Sequence, residues 1–275
     1  MIILVTHILC LMLAQVSPTS PGETVSPPTL ESGFHQMYNL EFDASHRTFQ
    51  AWEQLHPTDP LAPSSDAAAY LFAEFDRLGV LQSELFVDDA KLKNSAKLSP
   101  DPVAKQKFEA ALEHSDQLAD AVLARSPQDS NALFAKALNL GLRSDYVGLI
   151  DKRYLASLSY MKSAGVMADK LLAVDPSRYD AYLATGVENY MLGLNAAPVR
   201  WLLRIYGAQA DKEQGIAKLR VTAEKGHFLL PFARLLLAVA ALRDRDRTKA
   251  RELLAGLAQE YPKNSLYARE LSLLQ

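Results

Sequence analysis

Tyr154–Leu192 reads YLASLSYMKSAGVMADKLLAVDPSRYDAYLATGVENYML, and together with the residues up to Gly226 this stretch decides the fold. Its first part, Tyr154–Val174, has apolar and small residues at the spacing of one helix face. Asp175-Pro176-Ser177 then ends the helix, because proline cannot donate into a continuing helix and restricts the residue before it. Tyr179–Leu192 begins a second amphipathic helix. The stretch therefore predicts two helices joined by a short proline turn.

The same unit recurs along the chain, around the turn prolines Pro57, Pro127, Pro176 and Pro262. Twelve residues before each proline and ten residues after it stands Ala, Gly or Ser. These small residues are Ser45, Ser115, Ala164 and Ala250 before the prolines, and Ala67, Ala137, Gly186 and Ser272 after them. Antiparallel helices joined by a short turn approach closely only where neither carries a bulky side chain. We therefore expect all eight residues to lie at helix contacts.

This arrangement resembles the tetratricopeptide-repeat (TPR) family, in which small residues mark the helix contacts and a proline marks the turn between repeats. The resemblance covers most of Phe34–Gln275. Pro127 and Pro176 are 49 residues apart, and Pro176 and Pro262 are 86 residues apart. Because the family repeats every ~34 residues, the helices here are elongated or extra helices are inserted. The resemblance implies an all-α fold, an antiparallel helix-pair (TPR-like) solenoid of degenerate, elongated repeats.

One inserted element is visible at Pro198–Gly207, where the sequence PVRWLLRIYG predicts a short apolar helix. Gly186–Tyr190 precedes it and Asp211–Ile216 follows it. With these flanks, the segment Gly186–Pro262 is similar to the eukaryotic tetratricopeptide-domain-39 family. Members of that family are helical-repeat adaptors, so the resemblance implies an adaptor role and carries over no catalytic residues.

Composition excludes several classes of function. The net charge of −3 and the pI near 6.1 argue against a nucleic-acid partner, because phosphate binding needs clustered Lys and Arg. The single cysteine is Cys10, which excludes a disulfide framework and a cysteine-based zinc site. Leu229–Leu242 is apolar nearly all round, but at about 14 residues it is predicted to be a buried helix and not a membrane span.

The N-terminal region has two parts that differ from the rest of the chain. Residues 1–16 are almost wholly apolar and shorter than the roughly 20 residues that a membrane span needs, which predicts a signal peptide. We therefore expect export, to the periplasm or outside the cell, with peripheral membrane association as a further option. The alternatives for this segment are an uncleaved membrane anchor and a buried helix. Residues 17–33 are rich in Pro, Ser and Thr and are predicted to be a flexible linker before a folded body at 34–275.

Helical repeats of this kind offer a concave face that is lined by the first helix of each pair. The residues placed there by the proline turns are Asn131, Phe134, Leu138, Leu142, Asp180, Leu183, Val187, Tyr190 and Met191. This lining is mainly apolar and would suit an amphipathic helix, an extended peptide or a lipid chain. In the alternative interpretation, the same residues pack against inserted helices.

The function expected from the sequence is a non-catalytic scaffold that binds a protein or peptide partner and needs no cofactor. Two alternatives stay open, a carrier of an apolar ligand and a helical-bundle metalloenzyme. The metalloenzyme hypothesis rests on Glu53…His56 and Glu224…His227, because two Glu-x-x-His pairs and two further Glu residues can form a di-iron site. Both pairs lie at predicted helix ends, where ordinary surface residues explain them better. Asp88-Asp89 is a further weak metal candidate.

Overall fold

The computed structural model describes residues 27–81, 98–194 and 211–274, and in these ranges the chain is helical and contains no strand. A π-helical turn, Tyr146–Ile150, follows the fifth α-helix, and a short 3₁₀ turn, Tyr179–Ala181, precedes the seventh. The α-helices of the described ranges are α1 (Leu30–Tyr38), α2 (Phe42–Leu55), α3 (Leu61–Leu78), α4 (Pro102–Leu123), α5 (Ser130–Asp145), α6 (Tyr154–Val174), α7 (Tyr182–Gly193), α8 (Lys212–Lys225), α9 (Leu230–Arg243), α10 (Arg247–Glu260) and α11 (Ser265–Ser272).

The four turn prolines each follow an even-numbered helix. Pro57, Pro127, Pro176 and Pro262 lie between α2 and α3, α4 and α5, α6 and α7, and α10 and α11. The helix predicted at Tyr154–Val174 has these bounds in the structure, as α6. The helix predicted at Leu229–Leu242 is confirmed as α9, which runs from Leu230 to Arg243 and buries residues over most of its circumference. No helix in the described part of the chain is long and apolar enough to span a membrane.

Helix α1 begins before the predicted end of the linker. Leu30–Gly33 are helical, although the sequence placed them in the flexible segment 17–33. The reason is local, because Thr29 and Ser32 form a reciprocal capping box in which each side chain accepts the other's backbone N–H. Residues 1–26, which include the predicted signal peptide and most of the linker, lie outside the described residues. So do Asp88-Asp89 and Pro198–Gly207.

Each helix packs against the next helix along the chain, and α1, α3, α5 and α7 also contact one another in sequence. Helices α1, α3, α5 and α7 therefore form one row, here called the inner row, and α2, α4 and α6 each pack against two successive members of it. Seven of the eight small residues are buried, as the close-approach argument requires. Ser272 is the exception and is exposed, because α11 follows the last helix pair and no described helix packs on its outer side.

The small residue Ser115 lies in a buried hydrogen-bond cluster that joins three helices. Its hydroxyl donates to the carbonyl oxygen of Pro60 (2.8 Å) and accepts from the side-chain amide of Asn139 (2.9 Å). The hydroxyl of Ser64 donates to the Asn139 amide oxygen (2.6 Å). All three side chains are fully buried. Polar groups are tolerated here because each finds a partner, and the partners fix the register of α3, α4 and α5.

Helices α7 and α8 come into backbone contact through two glycines. A Cβ at Gly215 would lie 2.4 Å from the backbone nitrogen of Tyr190, and a Cβ at Gly186 would lie 3.1 Å from that of Leu219. The first distance is impossible for any side chain without moving one helix. The absence of a side chain at Gly215 therefore sets the separation of α7 and α8.

The inner row closes on itself, because α1 contacts the C-terminal part of the chain. Phe34 stacks on Phe228, with ring centroids 5.0 Å apart. The amide of Asn264 donates to the carbonyl oxygen of Tyr38 (2.7 Å), and the backbone N–H of Lys263 donates to the Asn39 amide oxygen (3.0 Å). These contacts join the two ends of the described helices, and the resulting arrangement around a common interior is here called the closed ring.

Candidate functional site

The interior of the ring contains a cavity with a volume of about 230 Å³, here called the central chamber. Helices α5, α7 and α9 supply most of its wall, and α1, α3, α6 and α8, together with the π-helical and 3₁₀ turns, supply the rest. Its apolar lining is large and includes Phe34, Met37, Phe72, Phe134, Leu138, Leu142, Met161, Leu183, Val187, Leu229, Phe232, Leu236 and Val239. The polar residues in the wall are few. They are Tyr38, Ser144, Asp145, Tyr154, Ser157, Asp180, Tyr190 and Arg243.

One end of the chamber is closed. There the start of α5 meets the turn before α9, with the rings of Phe134 and Phe228 6.2 Å apart. Phe134, Asp180 and Leu229 are all buried at this end. Nearby, Tyr38 is buried, and its phenol oxygen has no hydrogen-bond partner among the described residues. Burial and nearby acidic groups raise the pKa of this phenol, so it stays neutral at any ordinary pH.

Asp180 holds the closed end together. Its carboxylate accepts hydrogen bonds from three consecutive backbone N–H groups ahead of α9, those of His227 (3.0 Å), Phe228 (3.1 Å) and Leu229 (2.8 Å). These N–H groups would otherwise lack a partner at the start of a helix. The carboxylate also complements the positive end of the α9 dipole. Asp180 therefore fixes the start of α7 against the start of α9.

The opposite end of the chamber is formed by the last turns of α5, α7 and α9. Asp145, Met191 and Arg243 lie there. Met191 is 44% exposed and the other two are partly exposed, so within the described part of the chain this end reaches solvent. Because α5 rises about 1.5 Å per residue, the wall between Phe134 and Asp145 is roughly 16 Å long. The chamber is thus a blind apolar channel with its polar groups concentrated at the two ends.

Asp145 stands immediately before the π-helical turn Tyr146–Ile150. Its side chain caps no backbone N–H, and within the described residues it has no hydrogen-bond or ion-pair partner. The neighbouring Ser144 hydroxyl is satisfied, because it donates to the carbonyl oxygen of Ser157 (3.0 Å). Burial raises the pKa of Asp145 from 3.8 to about 7. π-helical turns inside α-helices are frequent at functional sites, and this one adds Gly148 and Leu149 to the chamber wall.

The structure brings together eight of the nine residues that the sequence placed on the concave face. Phe134, Leu138, Leu142, Asp180, Leu183, Val187, Tyr190 and Met191 all line the central chamber. Asn131 does not, since it is exposed and accepts a hydrogen bond from Arg178. Asp180 lines the chamber, but its oxygens are engaged by the backbone before α9. Sequence reasoning missed the lining residues from α1 and α9, and it missed Asp145.

Side chains of the two Glu-x-x-His pairs, Glu53…His56 and Glu224…His227, make contacts with residues outside the pairs. Glu53 contacts His114 (3.0 Å), and His227 contacts Glu31 (3.1 Å). His56 stacks on Trp52, with ring centroids 3.8 Å apart. In residues 27–81, 98–194 and 211–274 no three His, Cys, Asp or Glu side chains gather in a way that could hold a metal ion.

Comparison of the chain with models of known protein families, with curated proteins and with solved structures finds no match. The geometry of the central chamber is therefore the observation from which a function is argued.

Proposed function

We propose that this protein is a non-catalytic binding protein whose TPR-like helix pairs surround a chamber for an apolar ligand. The observation that carries the proposal is the central chamber, a blind apolar channel with one end at the solvent. The scaffold expected from the sequence would bind a protein or peptide on an open concave face. In the closed ring that face lines the central chamber, and this favours a small apolar molecule over a peptide as the ligand.

The helix-pair part of the proposal rests on three observations. Helices α1, α3, α5 and α7 contact one another in sequence, each described turn proline follows an even-numbered helix, and the small residues at matched offsets are buried except for Ser272. These are the features that place one helix of each pair inside and the other outside in repeat proteins. Under this proposal, five pairs run from α1 to α10 and α11 covers the end of the last pair.

The ligand part of the proposal rests on volume and chemistry. An apolar cavity of roughly 150 Å³ takes up benzene in another protein, and the chamber here is larger, at about 230 Å³. Binding sites for small molecules are concave and mostly apolar, with a few polar groups that fix orientation. Close packing is the rule in protein interiors, so an apolar chamber of this size between the side chains is a sign of a binding site.

Gly141 offers a direct test, because it lines the chamber and a Cβ there would meet no atom within 4 Å. Gly141→Leu should occupy the chamber without a clash and should keep or raise the stability of α5, since glycine is a poor helix residue. Binding of the neutral apolar dye N-phenylnaphthylamine, measured by fluorescence titration, should be saturable in the wild type and should weaken at least about tenfold in the variant, which is ~1.4 kcal/mol.

Gly256→Leu is the matched control. Gly256 is exposed on α10, and a Cβ added to it would also meet no atom within 4 Å, but it does not line the chamber. This variant should gain the same helix preference and bind the dye like the wild type. Equal dye affinity in Gly141→Leu and Gly256→Leu would refute the chamber as the binding site.

A second candidate function is docking of a protein partner, which an exposed apolar stripe on α6 favours. Leu155 is 85% exposed, and Leu158 and Val166 on the same helix face are also exposed. Exposed apolar residues that cluster on one face mark interaction sites. Cross-linked partners recovered from the native host should be lost with Leu155→Arg and retained with Gly141→Leu if the stripe is the docking site. The reverse pattern would place the partner in the chamber.

Export through residues 1–16 is the remaining part of the proposal. Its basis is the apolar sequence of this segment. Mass spectrometry of the intact protein from its native host should show loss of the segment near Ala14–Val16. A full-length chain would instead favour an anchored form.

A further inference from the structure

Two carboxyl groups lie in the described wall of the chamber, and the proposed function uses neither of them. Asp145 lies in the wall near the solvent end, partly buried, with no hydrogen-bond or ion-pair partner among the described residues. An unpaired carboxyl in an apolar wall is unfavourable unless something compensates it. The other carboxyl in the wall, that of Asp180, is compensated by three backbone N–H groups. The difference between the two carboxyls suggests that the partner of Asp145 is a ligand.

We infer that the chamber binds a long-chain aliphatic amine, whose alkyl chain fills the apolar channel and whose ammonium group pairs with Asp145. This inference rests on the proposed function, because it assigns the ligand class of the same chamber. The position of Asp145 fits a head group, since it lies at the end that reaches solvent. The roughly 16 Å of apolar wall between Phe134 and Asp145 accommodates the chain.

Charge selects the amine over other molecules of the same length. A carboxylate accepts hydrogen bonds and attracts a cation, so an ammonium group supplies both the donors and the opposite charge. An alcohol supplies one donor and no charge. A fatty acid brings a second negative charge next to Asp145, and its only cationic neighbour among the described wall residues would be Arg243, which already has an interaction. The expected order of affinity is amine, then alcohol, then carboxylate.

The protonation of Asp145 makes this binding depend on pH. With a pKa of about 7, the carboxyl is ionised above neutrality and protonated below it. The amine stays protonated throughout, as alkylamines have pKa values near 10. Below about pH 7 the ammonium group must displace a proton, so affinity should fall by up to about tenfold per pH unit. Among the described residues, the other titratable or charged groups that line the chamber are Tyr38, Tyr154, Asp180, Tyr190 and Arg243. The Tyr38 and Tyr154 phenols have raised pKa values.

The test compares decylamine, decanol and decanoate as competitors of N-phenylnaphthylamine on the full chain, below the concentrations at which they form micelles. In the wild type at about pH 8.5, decylamine should bind at least about tenfold more tightly than decanol. At about pH 5.5 this preference should shrink by about tenfold or more. Asp145→Asn should remove both the preference and its pH dependence while binding decanol as before.

Asp151→Asn is the matched control, because Asp151 lies six residues further along, pairs with Lys105 (3.4 Å) and does not line the chamber. It should leave the preference for decylamine intact. Decylamine that binds no more tightly than decanol in the wild type would overturn the inference while leaving the chamber as an apolar site. Binding of neither the dye nor any decyl compound would overturn the proposed function as well. If Asp145→Asn does not fold, the wild-type pH profile alone decides, since a pH-independent preference contradicts the role of Asp145.

Discussion

Replacing Asp180 with alanine should unfold the closed end of the chamber more than any loss of an ordinary helix cap. Asp180 is 2% exposed, and its carboxylate accepts hydrogen bonds from the backbone N–H groups of His227, Phe228 and Leu229. Alanine would leave the buried N–H groups of Phe228 and Leu229 with no acceptor. It would also remove the negative charge at the start of α9. The substitution therefore combines a lost cap with stranded donors in the protein interior.

The size of the effect follows from these contacts. A hydrogen bond to a charged group contributes about 1.5–3 kcal/mol, and each buried donor left unsatisfied costs about 1–3 kcal/mol. Partial relaxation and non-additivity reduce the sum, so we expect Asp180→Ala to lower the free energy of unfolding by about 4 kcal/mol. Asp180→Asn should lose less, about 2 kcal/mol, because its amide oxygen can still accept from the N–H groups that now meet Oδ1.

Urea unfolding followed by far-ultraviolet circular dichroism measures this difference, with Asp246→Ala as the control. Asp246 is also a helix N-cap, but it accepts from only one backbone N–H, that of Lys249 (2.9 Å), and it is exposed. Its loss should cost about 1 kcal/mol. A loss in Asp180→Ala no greater than that in Asp246→Ala would show that Asp180 does not hold α7 against α9.

Three further predictions concern the contacts between helices and the titration of Asp145. Gly215→Ala should lower the free energy of unfolding by about 3 kcal/mol in urea titrations, because its Cβ would lie 2.4 Å from the backbone nitrogen of Tyr190; unchanged stability would contradict the close contact of α7 and α8. The stability of the wild type relative to Asp145→Asn should fall as pH rises from about 4 to about 7, because the folded state binds a proton at Asp145 that the unfolded state, with a pKa of 3.8, has released. The difference should approach about 2 kcal/mol. It stays below the value that ~1.4 kcal/mol for each unit of pKa shift would give, because solvent reaches this end of the chamber. In urea titrations at about pH 8 Asp145→Asn should be more stable than the wild type, and equal stability of the two would argue against the raised pKa. Asn264→Ala should increase hydrogen exchange at α1 and cost about 2 kcal/mol, because its amide donates to the carbonyl oxygen of Tyr38; protection of α1 at the wild-type level would show that this bond does not close the ring.

Local sequence signals predicted the helices and the turns well. Proline has the same effect on a helix wherever it occurs, so Pro57, Pro127, Pro176 and Pro262 mark turns without any knowledge of the rest of the fold. The burial of Ser115 and Gly186 followed from one steric argument about neighbouring helices. That argument is wrong at Ser272, because a matched offset predicts a contact only where another helix is present to make it.

The closed ring and the open end of the chamber could not be predicted in the same way. The contact of Asn264 with Tyr38 joins residues 226 positions apart, and no periodicity within a repeat reports such a pairing. Asp145 gave no signal either, because the π-helical turn after it contains no proline and only one glycine. A lone aspartate at a helix end is normally read as a surface residue, and only its position in the chamber wall shows otherwise.

The contact between α1 and the turn before α11 also bears on how the protein comes apart. In a row of repeats with two free ends, each terminal unit has a single neighbour and frays independently. Here the first unit has neighbours on both sides, so opening at either terminus must break two interfaces at once. We therefore expect the helices around the chamber to melt in one cooperative step, with the amide protons of α1 as slow to exchange as those of α5.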